Sequence, residues 1–125
     1  MAVMQVSGLV WQSSGATFLA RISGNLGTPI TQATIGSIPC KVIDLAPLPT
    51  VVVLSPVVPV SSISDTLIAN DPRWLQDAIG YNFLYQMPHT AFPKGSNPYL
   101  VQFLFMPVTG EPFPVEYRVD AIEVF

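Results

Sequence analysis

The sequence predicts an all-β chain folded as an antiparallel β-sandwich, and three observations carry that prediction. Half of the 125 residues are apolar, while only 10% are charged. Several segments alternate apolar and polar residues with period two, as strands with one buried face do. Thirteen prolines and eight glycines punctuate these segments, which keeps the strands short and leaves little room for helix.

The elements follow in chain order. Thr17–Ile22 places Phe18, Ala20 and Ile22 on one face, with Thr17 and Arg21 on the other. Gly24–Pro29 reads as a turn, because its two glycines accept positive φ and Pro29 presets the exit. Thr31 suits the cap of one short helical turn, which Gly36 and Pro39 then stop. Ile38–Leu45 reads as a strand. Val51–Leu54 and Val57–Val58 are β-branched and short, and Pro56 and Pro59 confine them to a sheet edge or a bulge. At most one short helix is expected, near residues 71–79, with Asn70 or Asp71 as cap, Pro72 in its first turn and Gly80 at its end.

Tyr81–Met87 is strand-like, with Tyr81, Phe83 and Tyr85 sharing a face, and Pro88–Pro98 reads as loop. The C-terminal third predicts a hairpin. Tyr99, Val101, Phe103 and Phe105 alternate with Leu100, Gln102, Leu104 and Met106, so this strand is apolar on both faces. Pro107–Pro112 turns the chain, and Val115, Tyr117 and Val119 then alternate with Glu116, Arg118 and Asp120. Beyond Asp120 the apolar positions shift to Ile122 and Val124, which predicts a bulge near Asp120–Ala121. About seven short strands with regular turn signals fit a single sandwich of immunoglobulin-like type, with a jelly roll as the alternative.

Composition excludes several functions. The five basic residues, Arg21, Lys41, Arg73, Lys94 and Arg118, form no cluster in the sequence. Binding to a phosphate backbone needs several cations on one face, so no nucleic-acid partner is expected. Val42–Val60 is long and apolar enough for a membrane span, yet Pro47, Pro49, Pro56 and Pro59 would break the helix. No membrane partner is expected. The N-terminal stretch lacks the basic region of a secretory signal. The single cysteine, Cys40, cannot form an internal disulfide and reads as a small buried hydrophobe.

Candidate chemistry is sparse. His89 is the only histidine, in a proline-marked loop, and no nucleophile motif or metal-spaced partner accompanies it. Asp65, Asp71 and Asp77 are six residues apart but lack the close pairs of a calcium loop, so they read as caps and turn formers. Trp74, Tyr81, Phe83, Tyr85 and Phe92 suit either a ligand platform or the core, and the core is the commoner use. The reading is therefore no catalytic residue, no cofactor and no metal.

Interfaces are the better expectation. An ordinary soluble domain carries about 25% charge, so this chain has too few charges to solvate its own surface and is expected to be covered by other protein. Arg73 and Trp74, residue types enriched at interface hot spots, are candidate anchors. Val51, Val52, Val53 and Leu54 would be an aggregation hazard at an uncovered edge. Leu100, Leu104 and Met106, from the two-sided strand, complete the candidate interface, whereas Val115–Glu123 keeps a charged face for water or a polar rim.

Two groups of passages carry a resemblance. Gly15–Ile22, Gly27–Ala33 and Ile38–Asp44 form the first; Asp71–Trp74, Gly80–Phe83, Tyr99–Gln102 and Thr109–Phe113 form the second. Together they resemble the small immunoglobulin-like β-sandwich modules of tailed-bacteriophage virion proteins. The resemblance implies a virion structural protein without enzymatic activity, a capsid decoration or head–tail (neck) component assembled in the bacterial cytoplasm. Its implied partners are other virion proteins and further copies of itself. A receptor- or glycan-binding fibre module, using the aromatics from Tyr81 to Tyr85, is the alternative.

Overall fold

In a computed structural model, residues 4–11, 15–23 and 28–122 are described, with side chains from residue 15 onward. Among these residues nine strands form two open sheets: β1 (Met4–Trp11), β2 (Ala16–Ala20), β3 (Ile35–Asp44), β4 (Val51–Leu54), β5 (Val57–Val58), β6 (Ile63–Ile68), β7 (Tyr81–Met87), β8 (Pro98–Pro107) and β9 (Phe113–Ile122). The large sheet runs β1-β9-β8-β3-β4, with β5 also on β3, and the small sheet runs β2-β7-β6. All pairings are antiparallel except β1 on β9. The six-and-three division of strands is an all-β open sandwich of the immunoglobulin-like kind, not the eight-stranded jelly roll.

The expected hairpin forms. Phe105 opposes Phe113 and Tyr99 opposes Val119, and Gly110 supplies a φ of 109° in the turn. Tyr99, Val101, Phe103 and Phe105 are fully buried, so these residues of β8 form the inner wall of the large sheet. Phe103 joins the two layers. Its ring lies 5.7 Å from Phe18, 5.1 Å from Phe83 and 5.9 Å from Tyr85 on the small sheet, and 5.8 Å from Tyr117 beside it. Edge-to-face contacts of this kind favour aromatic cores beyond the area they bury. The Tyr117 hydroxyl crosses the layers and donates to the Leu19 carbonyl at 3.0 Å.

Three expectations change. No helix forms near 71–79. Asp71 accepts from the Arg73 N–H at 2.9 Å and its carbonyl accepts from the Trp74 N–H at 3.0 Å, so the cap signals close a single Asx turn around Pro72. Gly80 then takes a φ of 103°, and a Cβ there would run into the Ile68 carbonyl. No bulge interrupts β9, because its pairing with β8 continues in register to Asp120. Ala121 is the inward residue, 4% exposed, and its small side chain hid the unbroken alternation. Strands β1 and β6 escape the sequence reading; β6 carries Ser64, Asp65 and Thr66 between its apolar ends, and its pairing with β7 is irregular.

Other expectations hold. Thr31 precedes one 3-10 turn over Gln32–Thr34, and its N–H donates to the Thr34 hydroxyl at 3.0 Å. Residues 42–60 form the end of β3, β4 and β5. Among the described residues no helix is long and apolar enough to cross a membrane. Cys40 is buried, and burial pushes its thiol up to about 12. The glycines of the turn expected at Gly24–Pro29 lie outside the described residues; Ser23 and Pro29 bridge across it.

Candidate functional site

The outer face of the large sheet and its β4 edge together collect seven of the nine candidate interface residues. Along β3 the inward residues are Ile38, Cys40, Val42 and Asp44, so Pro39, Lys41 and Ile43 point outward. Along β8 the outward residues are Leu100, Gln102, Leu104 and Met106, and along β9 they are Pro114, Glu116, Arg118 and Asp120. Strand register arranges them in rows. Val57, Pro39, Leu104 and Pro114 form one row, all apolar. Lys41, Gln102 and Glu116 form the next, where Gln102 Nε2 donates to Glu116 Oε2 at 2.7 Å. Val52, Ile43, Leu100 and Arg118 form the third.

The face therefore has two bands separated by one polar row, the first apolar throughout and the other apolar from Val52 to Leu100 and ending in Arg118. Leu100 and Leu104 are half-buried against their sheet neighbours, Met106 is exposed, and Val57 is 89% exposed. The apolar bands run onto the sheet edge at β4 and β5, which among the described residues pair with β3 on one side only. Val51 and Val52 are each 49% exposed there, while Val53 and Leu54 pack partly against the core. Leu48, in the turn before β4, is 92% exposed. An edge with unpaired backbone groups and β-branched side chains is a template for another chain, guarded here only by Pro49 and Pro56. Pro39 and Pro114 were missed in the sequence, whereas Ile43, Leu48 and Val57 lie in the apolar stretch Val42–Val60, whose want of charge already marked it for cover. Alternation within Ile38–Asp44 was the available signal for Pro39; the pairing of Val57 with Pro39 was not readable.

Arg73 and Trp74 lie elsewhere, in the connection from β6 to β7 of the small sheet. Arg73 is exposed and its guanidinium pairs with Asp71 at 2.7 Å. The Trp74 ring packs on Tyr81 at 5.7 Å, and its indole N–H donates to Asp77 at 3.1 Å. Asp77 also accepts from Arg21 at 2.7 Å, which ties the connection back to the end of β2. The Trp74 and Arg21 donors lower the Asp77 carboxyl to about 2. Arg73 and the Tyr81 hydroxyl hold Asp71 well below the usual carboxylate range. Both residues thus brace a loop and stand apart from the outer face. Ile68, Leu75 and Ile79 are exposed in and beside this connection.

The remaining candidates have protein partners or are plain surface. Asp65 accepts from the Gln32 N–H at 2.8 Å, so all three spaced aspartates serve turns and loops. His89 is exposed in a 3-10 turn over His89–Ala91. Tyr81, Phe83 and Phe92 are buried, so only Tyr85 and Trp74 of the proposed aromatic platform keep partial exposure. An open groove of about 370 Å³ lies at the irregular β6–β7 pairing, lined by residues including Gln32, Ser62, Ser64 and Leu84. Among the described residues no three His, Cys, Asp or Glu side chains gather as metal ligands would. Comparison with protein-family models, with curated proteins and with solved structures finds no match for this chain.

Proposed function

We propose that this chain is a non-enzymatic structural subunit that works through subunit–subunit contacts. Its resemblance in sequence to tailed-phage virion modules suggests the setting: a capsid decoration or head–tail component among other virion proteins. The observation that supports the contact role is the outer face of the large sheet. Two apolar bands there run without interruption onto an edge strand whose valines are half exposed. Large apolar patches that continue to a sheet edge mark protein interfaces, and obligate interfaces are the more apolar ones.

The fibre-module alternative draws less support, because, of the aromatics that would carry a glycan platform, Phe83 faces the core and Tyr81 is buried beneath Trp74 and Asp71 of the β6–β7 connection. Size-exclusion chromatography with light scattering tests the proposal. The expected result is a discrete assembly of several 13.5 kDa chains. A monodisperse monomer that stays soluble at high concentration would overturn it.

A further inference from the structure

The rows on the outer face have a symmetry that selects one mode of self-association. Lys41 on β3 and Glu116 on β9 flank Gln102 on β8 in the polar row. Lys41 is exposed, and the ion pairs among the described residues are Arg21–Asp77 and Arg73–Asp71, so Lys41 has no acidic partner among those residues. Among the described side chains, Glu116 is met by the neutral amide of Gln102. One uncompensated cation and one uncompensated anion thus sit on opposite sides of the same strand, between apolar bands.

We propose that a second copy of this chain docks face to face on the large sheet, about a two-fold axis running along β8. The proposal rests on the structural-subunit reading given above. A rotation about that axis keeps each row opposite the same row of the partner and exchanges β3 with β9. Lys41 of each copy then faces Glu116 of the other, twice over, which is the reciprocity an isologous interface requires. Leu100 and Leu104 lie on the axis and meet their own copies. Pro39 meets Pro114, and Arg118 lays its aliphatic stem over Ile43 with its charged head free to reach the rim.

The alternative in-plane axis, along the polar row, also superposes apolar on apolar. It exchanges the two bands but sets Lys41 against Lys41 and Glu116 against Glu116. Like charges opposed across a closing interface cost enough to reject that docking. Size is adequate for the favoured mode. The five strands that the axis bisects, β1-β9-β8-β3-β4, cover roughly 24 by 27 Å over eight residues, on the order of 650 Å² of planar face. Pleating and side chains raise the accessible area toward the about 800 Å² per partner of a standard interface.

Sedimentation equilibrium of the wild-type chain, Lys41→Glu, Glu116→Lys and the double variant tests this mode, with near-UV circular dichroism reporting the fold of each. Either single charge reversal is expected to weaken dimerisation about tenfold or more, because it opposes like charges at both symmetric contacts. The double variant restores opposite charges and is expected to recover most of the wild-type affinity. Leu104→Arg, on the axis, is expected to abolish the dimer. Association that ignores the single reversals, or a double variant no better than the singles, would overturn this docking while leaving the assembly reading intact. A wild-type chain that stays monomeric would remove both.

Discussion

The side-chain amide of Asn82 takes the place of a missing strand partner for Ile22. The Ile22 N–H donates to Asn82 Oδ1 at 2.7 Å, and Asn82 Nδ2 donates to the Ile22 carbonyl at 2.8 Å. The β2–β7 ladder ends at Ala20 opposite Phe83, so the amide extends the pairing beyond the last strand residue. Both residues are buried.

Replacing Asn82 by Leu keeps the branched shape but orphans the buried Ile22 N–H, while the Ile22 carbonyl is left with the Ile30 N–H at 3.2 Å. An unmade buried group costs about 1–3 kcal/mol, so the loss should be about 2 kcal/mol. Asn82→Asp should also destabilise, because its carboxylate accepts from the N–H but repels the carbonyl. Urea unfolding midpoints check this, and a midpoint equal to wild type for Asn82→Leu would disprove the role.

Phe103 is the ring through which the sheets meet, with four aromatic neighbours on two layers. Phe103→Ala should cost about 3–5 kcal/mol, and Phe103→Leu distinctly less, since the cavity is smaller. If the two variants unfold at the same denaturant concentration, the cavity argument is wrong.

The connection from β6 to β7 should loosen in acid. Asp77 is lowered to about 2 by Trp74 and Arg21 in the folded chain, below its unfolded value near 4. A depressed carboxyl contributes stability above its unfolded value, and that contribution fades as pH falls through the folded one. Asp71 is shifted in the same direction by Arg73 and Tyr81. Trp74 fluorescence, read in a Trp11→Phe background, should therefore change between about pH 4 and pH 2. In Asp77→Asn that acid step should shrink; an identical step would assign it to other groups.

Edge strand β4 offers a separation of association from stability. Val52 is half exposed and points outward beside Ile43. Val52→Lys should leave the unfolding free energy within about 0.5 kcal/mol, as exposed substitutions usually do. It should lower self-association or aggregation, since an edge lysine is a common guard against strand addition. Light scattering against concentration measures the second effect. Unchanged scattering would mean that the edge contributes nothing to contacts.

Alternation carried most of the legible fold. Phe18, Ala20 and Ile22, the four inward residues of β8, and Val115, Tyr117 and Val119 all face the core that their period predicts. It failed where a small or polar residue occupies a strand position. Ala121 hid a continuous β9, and Ser64, Asp65 and Thr66 hid β6. Asp71, Pro72 and Gly80 misled for a different reason. Cap and turn signals share one chemistry, a short acceptor followed by a residue of fixed φ, and only packing against Tyr81 and Arg21 makes them a loop here.

By itself the sequence determined the class of the fold, the C-terminal hairpin, the buried state of Cys40 and the two-sided character of β8. Those follow from local period and composition, which act within one segment. The tertiary structure alone decided which segments share a face. It brought Leu100, Leu104 and Met106 together with Pro39, Ile43 and Val57, and it sent Arg73 and Trp74 to a separate loop on the small sheet. Register across strands far apart in the chain sets those neighbourhoods, and no single segment contains it. The shortage of charge was visible in the composition; its arrangement as two apolar bands around Lys41, Gln102 and Glu116 exists only in the folded sheet.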